Sequence, residues 1–163
     1  MCARATKEMS DTQNDPKLLA FFLLLVAQSR LNAKFSSTLA DNKHVPLDVY
    51  DVLVTLEYAP DHRLRLSELA DKVLLSRSGL TRRLDRLEKQ GYIKREGCPN
   101  DRRGAYAVLT EAGLQARESA WPIYKEAIRT YFGDRMTEGE AKQLSAVMKR
   151  IIDALDKDFV TCA

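Results

Sequence analysis

The sequence predicts a mainly α chain of α+β type, with six helices and one small β-element of two to three strands. Three observations predict it. Of the 163 residues, 45% are hydrophobic and 30% charged, while aromatics make up only 7%. That balance suits one globular domain with room for a core, and it leans to helices rather than to a β-sandwich. Apolar residues recur at i, i+3, i+4 and i+7 through most of the chain, which is the spacing of one helix face. Around residue 100 two short alternating runs, Tyr92–Glu96 and Ala105–Leu109, flank GCPNDRRG, whose Gly, Pro, Asn and Asp residues make a hairpin loop.

The elements follow in order. Met1 to Asp15 is polar and reads as a loose tail. Asp15 caps a helix with Pro16 in its first turn, running to about Leu39. Its apolar face is broad near Phe21, Phe22, Leu25 and Val26 and narrows to Leu31, Phe35 and Leu39. A helix apolar nearly all round must be covered on several sides, and in a small chain a second subunit supplies the cover. Leu18 to Ala27 holds ten apolar residues in a row, short of the ~20 that span a bilayer. Asp11 and Asp15 stand where a secretory signal needs basic residues, and no A-x-A site follows.

A second helix begins near Leu47, with Val49, Val52, Leu53 and Leu56 at core spacing, and stops before Pro60. Arg63–Leu66 alternates and reads as a brief strand. Ser67 is expected to cap a third helix, SELADKV, that buries Leu69 and Val73. Ser76 starts a fourth, through about Gln90, with Leu80, Leu84 and Leu87 inward and Gly91 as the stop. After the hairpin, Thr110 caps a fifth helix carrying Leu114, Trp121, Tyr124, Ile128 and Phe132. Pro122 inside it should kink it or mark a break. Thr137 and Glu140 form a capping box for a last helix with Leu144, Val147, Met148, Ile151, Leu155 and Phe159.

Helix, turn, helix and hairpin in that order make a winged helix-turn-helix. Charge says what it is for. From Arg77 to Arg103 nine basic residues face four acidic ones, a net of +5, whereas the whole chain is only +3. A basic block in an otherwise slightly acidic chain is the footprint of a polyanion site. A helix entering the ~12 Å major groove needs short polar side chains at its N-terminal end. Here that end reads Ser76-Arg77-Ser78-Gly79-Leu80-Thr81-Arg82. Ser76, Arg77, Ser78, Thr81, Arg82 and Arg86 are the candidate DNA contacts, and Arg83 points to the flank. At the hairpin tip Arg102 and Arg103 sit beside the minor groove, where narrow A·T-rich stretches attract guanidinium groups. Asp101 is read as a partner that orients one of the two arginines.

Residues 66–113 resemble the DNA-binding core of MarR-type transcriptional regulators. The likeness is carried by LSELA, LTRRLDRLEKQGYI and DRRGAYAVLTEAG. It implies a cytoplasmic homodimer, interlocked through its N- and C-terminal helices, whose two lobes bind a palindromic operator as a repressor released by a ligand. The domain organisation is then a tail and dimerisation helix at 1–46, a DNA-binding lobe at 47–110 and dimerisation helices at 111–163, in one intertwined domain. A pocket for an aromatic or phenolic effector would lie between lobe and dimer helices. Tyr50, Tyr58, Trp121 and Tyr124 are its candidates, with Arg30 and His44 beside them. Two departures stand out: Leu74 replaces a turn glycine, and the first helix has no cysteine, which argues against a peroxide switch there.

Other classes find little support. Cys2, Cys98 and Cys162 are too scattered for a disulfide framework or a metal site, and His44 and His62 have no spaced ligand partner. No metal, no cofactor and no membrane partner is expected. There is no G-x-S-x-G, P-loop or GxGxxG, so the chain is read as no enzyme. The competing reading is a winged helix used for protein–protein contact without DNA.

Overall fold

The computed structural model describes residues 15–73, 77–98 and 101–160, with the side chains at 77, 78, 98, 101–103 and 157–160 outside that description. The described residues hold six α-helices and three strands: α1 (Pro16–Asp41), α2 (Leu47–Glu57), β1 (Arg63–Arg65), α3 (Leu66–Lys72), α4 (Arg77–Lys89), β2 (Ile93–Cys98), β3 (Asp101–Leu109), α5 (Glu111–Tyr131) and α6 (Glu138–Val160). The strands form one antiparallel sheet in the order β1-β3-β2. The expected fold class is therefore the observed one. Two compact units part after Lys125, inside α5, and each is described by itself.

Local chemistry sets most boundaries. The Asp15 carboxylate accepts the Lys17 and Leu18 amides at 2.8 and 3.4 Å, satisfying donors that the first turn leaves open. Gly91 takes φ +74°, the left-handed conformation that ends α4 at little cost. Thr110 caps α5 by accepting the Gly113 amide at 3.1 Å, while its hydroxyl donates to the Gly91 carbonyl at 2.6 Å. The Thr137 capping box is present. Glu140 accepts the Thr137 amide at 2.8 Å, Thr137 Oγ1 accepts the Glu140 amide at 3.3 Å, and the Thr137 amide holds the Glu140 carboxyl below its ordinary range.

Four expectations change. α3 starts at Leu66 rather than behind a Ser67 cap; Glu68 reaches back to accept the Arg65 amide at 3.3 Å. The wing is longer than its alternation suggests, because Cys98 pairs with Asp101 across a register shift after Gly97. GCPNDRRG is thus largely strand, not loop. α5 runs through Pro122 without a break. The apolar run belongs to a helix of 26 residues that is, by length and composition alone, sufficient to cross a bilayer. The tail before Asp15, Leu74, Ser76, Cys2 and Cys162 lie outside the described residues.

The core of the first unit is one cluster. Val52, Leu53 and Leu56 of α2 meet Leu69 of α3, Leu80, Leu84 and Leu87 of α4, and Ile93 and Ala107 of the sheet. Leu64 alternates inward from β1. Phe35 and Leu39 are the buried residues of α1. Its other end is bare: Phe21, Phe22, Leu23 and Leu25 are 54%, 46%, 58% and 44% exposed. In the second unit Ile151, Ile152 and Leu155 of α6 are likewise exposed.

Two expectations follow for stability. Leu84 is fully buried, so Leu84→Ala should cost about 2–5 kcal/mol of unfolding free energy by denaturant titration. Gly113 lies so close to the sheet that an added Cβ would collide with the Tyr92 carbonyl. Gly113→Ala must push backbone aside, and should lower stability by about 1–3 kcal/mol in the same assay.

Candidate nucleic-acid interface

Leu80, Leu84 and Leu87 pin one side of α4 to the core, with exposures of 2% or less. At about 100° per residue, the opposite side carries Thr81, Arg82, Asp85, Arg86 and Lys89. Of these Thr81, Arg82, Arg86 and Lys89 are exposed and Asp85 is half-buried. Arg83 turns to the flank and binds Asp48 in the first turn of α2 at 2.7 Å. That pair ties the helix to the lobe at its edge. Ser76 lies outside the described residues. Arg77 and Ser78 are placed in the first turn of α4, and Asp101, Arg102 and Arg103 in the first residues of β3, by backbone only.

Among the described side chains, the acids Asp85, Glu88 and Glu96 of the basic block all have basic partners. Arg95 of β2 reaches across to α4, donating to Asp85 at 2.6 Å and standing 3.6 Å from Glu88. Its backbone amide donates to the other Glu88 oxygen at 3.2 Å. Glu96 pairs with Lys94 at 2.7 Å and lies 4.0 Å from Arg63. The hydrogen bond from Lys94 lowers the Glu96 carboxyl below its usual range. Among the described residues, Arg82, Arg86 and Lys89 have no acidic partner. The outward face of α4 is therefore cationic at close range, although the local sequence alternates in sign.

Sequence reasoning passed over three of these residues. Lys89 shares the outward face with Arg82 and Arg86 at helical spacing, a signal that was present. Asp48 and Arg95 act across elements, and nothing in linear spacing pairs residue 48 with 83 or residue 85 with 95.

Three of the aromatic candidates, Tyr50, Tyr124 and Trp121, form a chain of ring contacts. Tyr50, 3% exposed, packs edge-on to Tyr124 at 4.9 Å between ring centroids. Tyr124 in turn meets Phe35 at 5.2 Å and Trp121 at 6.4 Å. Burial pushes both tyrosine hydroxyls above their ordinary pKa. The Arg117 guanidinium lies 6.0 Å from both the Trp121 and Tyr58 rings. It also pairs with Glu57 and donates to the Tyr58 hydroxyl at 3.3 Å. This joint holds the first half of α5 against the C-terminal end of α2. Tyr58 is 78% exposed and lines an open cleft of about 410 Å³ with Val54, Pro60 and Lys72. His44 lines a different cleft, of about 290 Å³, with Lys43, Gln90 and Ser119. No group of three or more potential metal ligands occurs among the described residues.

The profile of the MarR family matches residues 48–104, which span α2 to the outer part of the wing. The fold is similar to that of AbsC, a MarR family transcriptional regulator from Streptomyces coelicolor, at a TM-score of 0.76 and 29% identity over 88% of this chain and 96% of that one. It is also similar to Sco3205 from the same organism, a MarR family transcriptional regulator solved in complex with DNA. There the TM-score is 0.75 and the identity 33%, over 84% of this chain and 86% of the other. In sequence the chain is 29% identical to the transcriptional repressor MprA of Escherichia coli over 136 residues, covering 79% of this chain and 77% of that protein. All three are named as regulators of transcription and none as an enzyme. With this fold, and with Sco3205 at 33% identity matched over 86% of its length, the chain belongs to the MarR family of transcriptional regulators.

Proposed function

We propose that this chain is a sequence-specific regulator of transcription that binds double-stranded DNA as a homodimer, in the cytoplasm, on a palindromic operator. The observation that carries the reading is the face of α4. Its cations are exposed and unpaired, while the acids among them are held by Arg95 and Lys94. A face whose cations are left available suits a polyanion. Ser76, Arg77, Ser78, Thr81, Arg82 and Arg86 then face the major groove. Arg102 and Arg103 reach the minor groove from the wing, with Asp101 orienting them. Lys89 adds a phosphate contact.

In this reading the lobe at 47–110 docks on DNA, and 1–46 with 111–163 dimerise. The bare apolar end of α1 supports the second subunit. Phe21, Phe22, Leu23 and Leu25 together present more contiguous apolar surface than a soluble monomer ordinarily leaves open. The regulator acts as a repressor, released by a small aromatic or phenolic effector near Tyr50, Tyr58, Trp121 and Tyr124. The support for that site is the position of the aromatic chain, which couples α5 to α2 through Arg117.

Enrichment of duplexes from a random-sequence pool tests the DNA reading directly. A palindromic consensus is expected, with half-sites about one helical turn apart. Failure to retain any duplex at low salt, together with salt-independent capture of a protein partner, would leave the protein-contact reading in its place. On the enriched duplex, Arg82→Ala or Arg86→Ala should each cost about 1–3 kcal/mol of binding where the residue reads a base. Arg103→Ala should weaken chiefly sites with A·T-rich flanks. Affinities indifferent to all three changes would count against the winged-helix docking. Separately, Phe22→Glu with Leu25→Glu should turn a dimer into a monomer in sedimentation, and cost more affinity for the full palindrome than for one half-site.

A further inference from the structure

Asp85 is in an unexpected partnership. On α4 it stands three residues after Arg82 and four before Lys89, the spacings at which opposite charges on a helix pair with each other. Both cations are exposed, and neither takes it. Asp85 is bound at 2.6 Å by Arg95, from another element. Both terminal nitrogens of the guanidinium turn to this side: Nη2 also lies 3.5 Å from the Thr81 carbonyl, and Nη1 faces Glu88 at 3.6 Å. The Arg95 side chain is only 29% exposed, against 48% for Asp85.

We propose that Arg95 is a positioning residue for DNA binding. By holding the Asp85 carboxylate against the base of the wing, it keeps Arg82 and Lys89 free for the nucleic acid. The inference rests on α4 being the DNA-facing helix. Were Arg95 absent, Asp85 would be an unpaired carboxylate within one turn of two cations. It would pair with one of them, removing a phosphate partner, and would stand as a like charge before the backbone. The role differs from a direct phosphate contact, since it acts only through the acid it restrains.

The experiment is a cycle on the duplex enriched by the wild-type chain. Arg95→Gln should weaken binding about tenfold at low salt, as expected of a like charge set loose at a charged interface. Arg95→Lys, which keeps the charge within reach of Asp85, should lose clearly less. Asp85→Asn alone should change affinity little. The decisive chain carries Arg95→Gln and Asp85→Asn together: its affinity should return to within about threefold of wild type, the acid being gone. Circular dichroism and thermal unfolding report whether each variant is folded. If the double variant binds as weakly as Arg95→Gln while folded, Arg95 touches DNA itself or braces the wing, and the proposal falls. If Arg95→Gln and Asp85→Asn are both unfolded, Arg95→Lys with full loss of binding in a folded chain overturns it equally. A wild-type chain that retains no duplex at all sinks the DNA reading as a whole, which is a separate failure.

Discussion

Three leucines on one side of α4 decide where everything else can be. Leu80, Leu84 and Leu87 are sealed against Val52, Leu53, Leu56 and Leu69, and burying each removes about 1.5–3 kcal/mol worth of apolar surface from water. Because a helix repeats every 3.6 residues, fixing that side fixes the other. Thr81, Arg82, Arg86 and Lys89 face outward because their neighbours cannot. The sheet closes the same core through Ile93 and Ala107, so wing and helix are two edges of one packed body.

Charge is arranged on top of that packing. The block from Arg77 to Arg103 contains enough acid to blunt its own field, yet Asp85, Glu88 and Glu96 are each held by a basic partner. Arg83 is given to Asp48, Arg95 to Asp85 and Glu88, and Lys94 to Glu96. These pairs are at least partly exposed, so each contributes little to stability. Their effect is on which charges remain available. Net charge by itself, +3 for the chain, conceals that sorting.

Much of this was legible from the residues in order. Helical periodicity located the six helices of the described residues, and the hydroxyl and carboxyl caps at Asp15, Thr110 and Thr137 marked three of their starts because capping is a local event. What escaped was nonlocal or weakly patterned. Ser67 satisfies the rule for a cap, but the cap position falls two residues earlier, at Arg65, where Glu68 reaches back to the backbone amide. The outer wing is strand despite its turn-forming composition, since Cys98 and Asp101 pair once the inner rungs are in register. Pro122 does not stop α5. The sequence showed which side chains lie outward on α4, but the ion pairs that leave some of them free cross from one element to another and have no signature in spacing. Of the aromatic candidates, Tyr50 and Trp121 each meet the Tyr124 ring, while Tyr58 reaches Trp121 only through Arg117.

The Thr110 hydroxyl has a mechanical consequence. It donates to the carbonyl of Gly91, just past α4, and accepts the amide of Gly113 in the first turn of α5; the Thr110 amide meets the Tyr92 carbonyl at 3.1 Å. Both open ends of the hairpin and the start of the long helix are thus fastened at one point. A tilt of α5 at that end is delivered to the wing base and to the end of α4 through the same knot. Such a linkage ties the wing base and the end of α4 to one threonine, so that the two would shift together rather than one after the other.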